Sequence, residues 1–399
     1  PTPERPAPPA PKKGDTAATV RLQLMQCYDE MGLLGWSVIL DLNAGKKSEG
    51  LIRDAGGALD DAAGRLGHLY SQLYGDHAGS EISALWRKAN AALVEWARAI
   101  VRKDKATVET SRKFLVEAFP AQMSTCLSTW SRQPRETLAP LLTNYAKNLV
   151  DSAEGQLNHD FNNAYHALDQ ACDALDKIAN GQAQAAVRAF PTRFPGAPDT
   201  PAVTLRVRLC DLVGQQMFTL AMANRAIVVS NIDEYYALFA RSDLITTRIS
   251  HELAPFGGAD FTNQFIALWK KYIASLQDYE KAREAKDGSL SKRIKGDLLN
   301  HATELVTLLV PPPTSRAVPP PRKGGQKPKA PPPSPLLKDV QAFFNANLAI
   351  IDDETGNREP FGALRRGWSD ARVFTEAVST QIITRFGDNP QSIDKPSGG

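Results

Sequence analysis

The stretch ALWRKANAALVEWARAIVRKD (84–104) decides the fold, because the chain contains it twice. It recurs as ALWKKYIASLQDYEKAREAKD (267–287), 183 residues later and without a gap. From 85 to 104, 8 of 20 positions are identical to their counterparts. Self-similarity at a fixed offset is the signature of an internal repeat. The sequence therefore predicts a chain built from two copies of one unit.

Each copy carries a broad apolar stripe at helical spacing. In the first copy the stripe includes Trp86, Leu93 and Trp96, and in the second it includes Trp269 and Tyr279. Apolar residues that recur every three or four positions predict an amphipathic helix packed on one face. We interpret the two equivalent tryptophans as core residues, because large aromatic side chains on such a stripe fill cores.

The repeat extends upstream at the same offset. RLGHLYSQLYG (65–75) aligns with RISHELAPFGG (248–258), and both copies end on a glycine. A glycine that follows a helix predicts a left-handed backbone at the helix end. The alignment also pairs His68 with His251, each three residues after an arginine. This pair is ambiguous: it fits a structural role, and it fits a ligand or proton-sensing role.

Prolines divide the chain, because proline lacks the N–H that a continuing helix needs. Of 28 prolines, 21 lie in the stretches 1–11, 191–201 and 311–335. The expected organisation is a proline-rich N-terminal arm (1–16), a first helical bundle (17–182), a proline-rich linker (183–201), a second helical bundle (202–388) with a basic proline-rich loop (311–335), and a C-terminal tail (389–399).

The sequence predicts an all-α fold of two tandem, internally duplicated helical bundles, with about six helices in each. A length of 399 residues suffices for two separate cores. Helices are expected near 17–43, 48–73, 78–103, 106–129, 135–154 and 158–181 in the first bundle, and near 202–230, 232–254, 260–286, 289–309, 336–351 and 361–386 in the second.

The two copies differ in one loop. The second copy contains VPPPTSRAVPPPRKGGQKPKAPPPSP (310–335), where the first has the short connection SRQPRETLAP (131–140). A segment of this composition is expected to be extended and solvated. Its cations are candidate interaction residues for an assembly partner, and for weak contact with nucleic acid or an anionic surface. They are Arg316, Arg322, Lys323, Lys327 and Lys329.

On YGDHAGSEISALWRK (74–88), the chain resembles a group of bacterial proteins of unknown function that are built from tandem helical bundles. Tyr74, Gly75, Gly79 and Leu85 match that group. LVDSAEGQLNHDFNNAYHALDQA (149–171) resembles its last helical pair. Where the group tends to have histidine, this chain has alanine and tyrosine at the equivalent positions, Ala89 and Tyr272. The resemblance implies the fold and no activity.

Composition and motifs exclude several classes of function. A net charge of +3 provides no strong field for nucleic acid. AGKKS (44–48) lacks the first glycine of a phosphate-binding loop and no strand precedes it. The longest apolar run, near 31–42, is too short to span a bilayer. The N-terminus is rich in proline rather than apolar, which is not typical of a signal peptide.

No metal, cofactor or catalytic residue is predicted. The chain lacks the Glu-x-x-His motif of di-iron bundles. His301, Glu304 and Asp297 share a helical face, which we interpret as a solvated surface. Four cysteines without paired spacing predict free thiols, and they favour a reducing compartment or a particle over secretion.

The predicted function is therefore that of a non-enzymatic structural or interaction protein in a larger assembly, of which a virion or other particle shell is one form. Two alternatives stay open. One is a bundle that binds a metal, haem or lipid between its helices. The other is an adaptor whose proline-rich loop binds aromatic grooves.

Overall fold

The structure is a computed structural model that describes residues 16–43, 48–228, 230–310, 334–356 and 361–388. Within these ranges the backbone forms helices joined by short turns, and no strand occurs. The predicted all-α fold is confirmed. The helices are α1 (Ala17–Leu40), α2 (Ser48–Tyr74), α3 (Asp76–Arg102), α4 (Lys105–Lys113), α5 (Phe119–Ser131), α6 (Arg135–Leu157), α7 (Phe161–Ala189), α8 (Pro201–Val228), α9 (Ile232–Glu284), α10 (Gly288–Leu309), α11 (Pro335–Thr355) and α12 (Phe361–Phe386).

None of the described helices combines the length and the apolar character that a membrane span requires. The expected N-terminal arm and C-terminal tail lie outside the described residues, apart from Thr16. The basic loop lies outside them up to residue 333. Its last residues, Ser334 and Pro335, cap and begin α11, as proline favours the first turn of a helix.

The chain divides into two compact units whose boundaries fall inside helices. The first unit comprises Pro1–Val207 with Val229–Arg241, and the second comprises Arg208–Val228 with Ser242–Gly399. The sequence instead placed the division in the linker 183–201. The structural reason is that the first turns of α8 and of α9 are bonded to the first unit.

Two sets of hydrogen bonds attach these turns. Arg21 Nη1 on α1 donates to Thr204 Oγ1 at 2.9 Å and to the Pro198 carbonyl at 2.8 Å. The Tyr165 hydroxyl on α7 donates to Glu234 Oε1 on α9 at 3.2 Å. Charge-assisted bonds of this kind are stronger than neutral ones. They therefore hold both helix starts within the first unit.

The helix-free part of the linker is shorter than expected. Helix α7 continues through Ala189, and α8 begins at Pro201. The stretch AQAAVRA (183–189) contains only residues that tolerate a helix and is rich in alanine, the best helix former. The first residue that must stop the helix is Pro191.

The turn after the duplicated helix has the same backbone in both units. Lys103 and Lys286 adopt left-handed conformations, with φ of 61° and 55°. Asp104 and Asp287 follow as N-caps with φ of −84° in each case, and each side chain accepts a backbone N–H of the next helix. Matched turns of this kind support the duplication inferred from the sequence.

The burial pattern repeats as well. Trp86 is 0% exposed and Trp269 is 1% exposed, which confirms their assignment to the core. Over 81–100 and 264–283, the same eight positions of each copy are buried. They are Ile82, Trp86, Ala89, Asn90, Leu93, Trp96, Ala97 and Ala99 in the first unit, and Phe265, Trp269, Tyr272, Ile273, Leu276, Tyr279, Glu280 and Ala282 in the second.

The first unit differs from the second by a π-helical turn, Phe114–Ala118, between α4 and α5. The sequence predicted one uninterrupted helix over 106–129. Pro120 explains the interruption, because its ring clashes with the carbonyl four residues earlier and it has no N–H to donate. A wider turn relieves both conflicts. The equivalent residue in α10 is Thr303, and α10 has no such turn.

Helix α9 consists of two helical segments that meet at a break at Gly258, whose φ is 70° and ψ is 179°, and these segments correspond to the two helices expected near 232–254 and 260–286. Gly75 has a similar backbone, with φ of 98° and ψ of 163°. Only glycine adopts this region without strain. The backbone therefore requires glycine at both of these repeat-equivalent positions, Gly75 and Gly258.

Replacing Gly258 with alanine is expected to lower the free energy of unfolding by about 1–3 kcal/mol, the cost of a residue in a forbidden region. A Cβ at Gly258 would meet no atom within 4 Å, so the cost comes from backbone strain alone. A Cβ at Gly296 in α10 would also meet open space, but the backbone there is helical, which alanine adopts without strain. Gly296→Ala is therefore expected to raise the free energy of unfolding by up to about 1 kcal/mol. Urea denaturation followed by circular dichroism measures both. Equal effects of the two substitutions would contradict this explanation.

Candidate functional site

Of the candidate site residues, the structure describes the histidine pair, and the two histidines belong to different units. The five loop cations lie outside the described residues. His68 is exposed, and its Nε2 lies 2.8 Å from Gln72 Nε2 on the same helix. His251 is exposed on α9 in the other unit. Neither histidine lies in a cavity that the described residues form around it, so the ligand role of this pair gains no support.

His301 and Glu304, which the sequence places on one helical face, contact neighbouring side chains. His301 Nε2 lies 3.2 Å from Ser275 Oγ, and its Nδ1 lies 3.8 Å from Glu304. Lys271 Nζ lies 3.7 Å from the same carboxylate. The four cysteines are free thiols. These contacts are typical of a solvated helical face.

An open groove of 670 Å³ runs along the surface of the first unit, between α3 and α5. Small and apolar side chains form most of it, with one carboxylate at the edge. Its lining consists of Glu81, Ala84, Leu85, Ala121, Gln122, Thr125, Cys126 and Thr129.

An open groove of 930 Å³ runs along the second unit, between α9 and α10, with the end of α12 beside it. Small and apolar side chains again predominate, and one guanidinium stands at the edge. Its lining consists of Gln264, Ala267, Leu268, Asn300, Thr303, Glu304, Thr307, Leu308 and Arg385.

The two grooves are equivalent by the sequence repeat. Five residues that line the first groove become lining residues of the second when 183 is added to their numbers. The pairs are Glu81/Gln264, Ala84/Ala267, Leu85/Leu268, Ala121/Glu304 and Thr125/Leu308. The same groove therefore occurs once in each unit, although the sequences that line it have diverged.

The threonines that line both grooves have hydroxyl groups that are already hydrogen-bonded within their own helices. In the first groove, Thr125 and Thr129 donate to the carbonyls four residues earlier, both at 2.9 Å. In the second, Thr303 and Thr307 do the same at 3.1 and 2.8 Å. A hydroxyl bonded within its own helix needs no further donor or acceptor when it is covered. A partner can thus bury these grooves without orphaning the hydroxyls.

The edges of the grooves carry different charges. Glu81 is held by Trp130, whose Nε1 donates to Glu81 Oε2 at 2.8 Å, and His77 lies 3.5 Å from its other oxygen. The neutral Gln264 takes its place in the second groove. There, the Arg385 guanidinium lies over the Phe386 ring at 4.8 Å. The charged lining residue of the first groove is therefore the Glu81 carboxylate, whereas the second groove is lined by the Arg385 guanidinium and by the Glu304 carboxylate, which lies 3.7 Å from Lys271 Nζ.

No reactive nucleophile is apparent in the described lining of either groove. Burial raises the pKa of the Cys126 thiol to about 12, and the nearby Glu81 carboxylate adds to this effect. The thiol therefore stays protonated near neutral pH, and a thiol is a far weaker nucleophile than a thiolate.

The second unit contains a buried carboxyl group, Glu280, whose pKa is raised. Glu280 is 2% exposed, and its two carboxyl oxygens lie 2.6 and 3.0 Å from the side-chain amide of Asn224. Burial, together with the nearby carboxylates of Glu284 and Glu354, raises the pKa of Glu280 to about 8. This group lies in the packed helices of its unit and lines neither groove.

An enclosed cavity in the first unit bears on the alternative of a ligand-binding bundle. It holds 10 Å³ and is lined by Trp86, Asn90 and Tyr145 among others, which is about the space of one water molecule. In the second unit Tyr272 replaces Ala89 of the first and stacks on Phe344 at 4.0 Å. This cavity is far too small for haem or a lipid.

The sequence reasoning missed both grooves, because exposed alanine and threonine resemble an ordinary solvated helix face. Identity within the repeat does not reveal the grooves either, because Ala84 and Ala267 line them whereas the equally identical and exposed pair Ala91 and Ala274 does not.

No protein-family model, no curated protein and no solved structure matches this chain. The pair of equivalent grooves is therefore the feature from which a function must be argued.

Proposed function

We propose that this protein is a non-enzymatic structural protein that works as a component of a larger assembly and docks neighbouring chains in its two equivalent grooves. The observation that carries the proposal is the recurrence of one surface groove, at repeat-equivalent positions, in both units. A particle shell, such as that of a virion, is one assembly of this kind, because shells repeat the same contact many times.

The lining supports docking rather than solvation alone. Leu85 and Leu268 are half-buried, and the alanines one residue before them are exposed. Small side chains let another helix approach closely, and the ridge of one helix packs into the groove of another. Because the threonine hydroxyls are bonded internally, covering the grooves costs little in lost hydrogen bonds.

Placing arginine in the grooves tests the proposal. Ala84→Arg and Ala267→Arg put a long cation into each groove on an exposed helix position, where arginine is a good helix former. We expect each to lower occupancy of the assembly about 10-fold or more, since an interface that loses about 1.4 kcal/mol binds ten times more weakly. The measurement is the fraction of chain that sediments with the native assembly.

The repeat supplies matched controls. Ala91 and Ala274 are exposed, repeat-equivalent alanines on the same helices and outside both linings. Ala91→Arg and Ala274→Arg are expected to assemble as the unsubstituted chain does. Groove variants that fold and assemble as well as these controls would refute the proposal.

A further inference from the structure

An exposed apolar ridge lies at the start of α9, in the first unit. Ile232 is 48% exposed and Tyr236 is 67% exposed, and Ala240 is also exposed. Their spacing of four residues places them along one face of the helix. Tyr235 and Phe239 flank them, with ring centroids 4.5 Å apart. A contiguous apolar surface of this kind marks an interaction site more often than a solvated face.

Helix α9 is well anchored beneath the ridge. Asn231 caps its first turn, with Nδ2 donating to Glu234 Oε2 at 2.7 Å. On the buried side, Arg241 Nη2 pairs with Asp169 Oδ1 at 2.7 Å. The ridge is therefore presented on a rigid helix, so little conformational entropy is lost when a partner covers it.

The charges at the ridge and at the second groove are complementary. Asp233 is exposed beside the ridge, and Arg385 is exposed at the edge of the groove. Neither has an ion-pair partner among the residues that the structure describes. The Arg385 guanidinium is already positioned, since it lies over the rings of Phe261 and Phe386 and donates to the Leu308 carbonyl.

We propose that the ridge of one copy docks into the second-unit groove of another copy, where Asp233 meets Arg385. The inference rests on the proposed function and names the occupant of one groove. Because ridge and groove are different surfaces, the contact is head-to-tail, and it extends into a ring or a longer array.

The first-unit groove does not suit this ridge. Its charged lining residue is the Glu81 carboxylate and it offers no guanidinium to Asp233, whereas the second groove holds Arg385 and its Glu304 carboxylate lies 3.7 Å from Lys271 Nζ. Like charges brought together in an interface suppress the wrong partner. The first groove thus binds a segment of different charge, and the divergence between the copies gives each groove its own partner.

Charge reversal tests the pairing in the full-length chain. Sedimentation velocity over a concentration series gives the self-association constant. Asp233→Arg and Arg385→Asp are each expected to weaken it about 10-fold, and the double variant to recover most of that loss, because it restores an opposite-charge pair. Gln264→Glu, which installs the first unit's own residue, is expected to weaken it in the same direction.

Controls separate docking from folding. Tyr236→Lys on the ridge is expected to abolish self-association, whereas Leu157→Lys, at an apolar residue that is 40% exposed outside ridge and grooves, is expected to leave it unchanged. A chain that stays monomeric at all concentrations, or one whose association ignores both charge reversals, overturns the inference. If the arginine variants of the grooves still lose the native assembly in that case, the proposed function stands with a different occupant.

Discussion

Trp269→Ala is expected to lower the free energy of unfolding of this protein by about 3–5 kcal/mol, the range for deleting a fully buried large aromatic side chain. Trp269 is 1% exposed. Its ring is stacked with Phe343 at 6.3 Å and with Phe374 at 5.9 Å, and it meets Tyr272 at 5.3 Å. The substitution would leave a cavity at the centre of this aromatic cluster.

Trp86→Ala, in the first unit, is expected to lower the free energy of unfolding by the same amount. Trp86 is 0% exposed and contacts Phe119 at 5.0 Å and Tyr145 at 5.7 Å. Equal losses at repeat-equivalent positions would show that the two units depend on the same core position. Urea denaturation followed by circular dichroism at a helix wavelength measures both.

The conservative substitution is informative because neither indole nitrogen has a hydrogen-bond partner among the described residues. Trp269→Phe and Trp86→Phe therefore lose packing but no hydrogen bond, and each is expected to cost less than the alanine variant by about 2 kcal/mol or more. If phenylalanine costs as much as alanine at either position, the indole is held by a polar contact and this explanation of the core is wrong.

The second large effect is a pH dependence of stability that Glu280→Gln removes. Burial raises the pKa of Glu280 from 4.5 in the unfolded chain to about 8. Between these values the folded chain retains a proton that the unfolded chain has released. The stability contributed by the neutral carboxyl is full below pH 4.5 and is lost as the pH rises through about 8. The slope in this window is at most about 1.4 kcal/mol per pH unit.

Glutamine is a close mimic of the protonated carboxyl and keeps a partner for the Asn224 amide. The variant is therefore expected to fold, and its stability should vary less with pH than that of the unsubstituted chain between pH 5 and 8. The measurement is the difference in the free energy of unfolding between the two proteins at pH 5 and at pH 8. A difference that does not change with pH would mean that Glu280 is already ionised in the folded chain.

Much of the fold follows from local sequence. The duplicated stripe and the prolines predicted most helix ends to within a few residues, because periodicity and helix breakers act locally, although α7 continues to Ala189, well past its expected end at 181. Pro120 shows the limit: it lies in the first turn of α5, where proline is compatible with a helix start, and the sequence did not predict the π-helical turn that precedes it. The unit boundaries inside α8 and α9 depend on contacts such as Arg21 with Thr204, which link residues far apart in sequence.

The candidate site was less predictable, because a groove arises only when two helices lie side by side. Ala84 and Thr125 are 41 positions apart, and nothing in the sequence of either helix indicates that they face one space. The ridge at Ile232 and Tyr236 was not predicted from the sequence for the opposite reason. A stripe of apolar residues on a helix normally predicts the buried face, and here the buried face carries Glu234 and Arg241 beside the apolar Leu238.

Hydroxyl-radical footprinting of the isolated chain and of the native assembly tests the central claim most directly, because it reports which side chains become covered. The account predicts that Leu85 and Leu268, one in each groove, both lose labelling in the assembly, while Leu157 keeps it. Equal labelling of both groove leucines in the isolated chain and in the assembly would contradict the account.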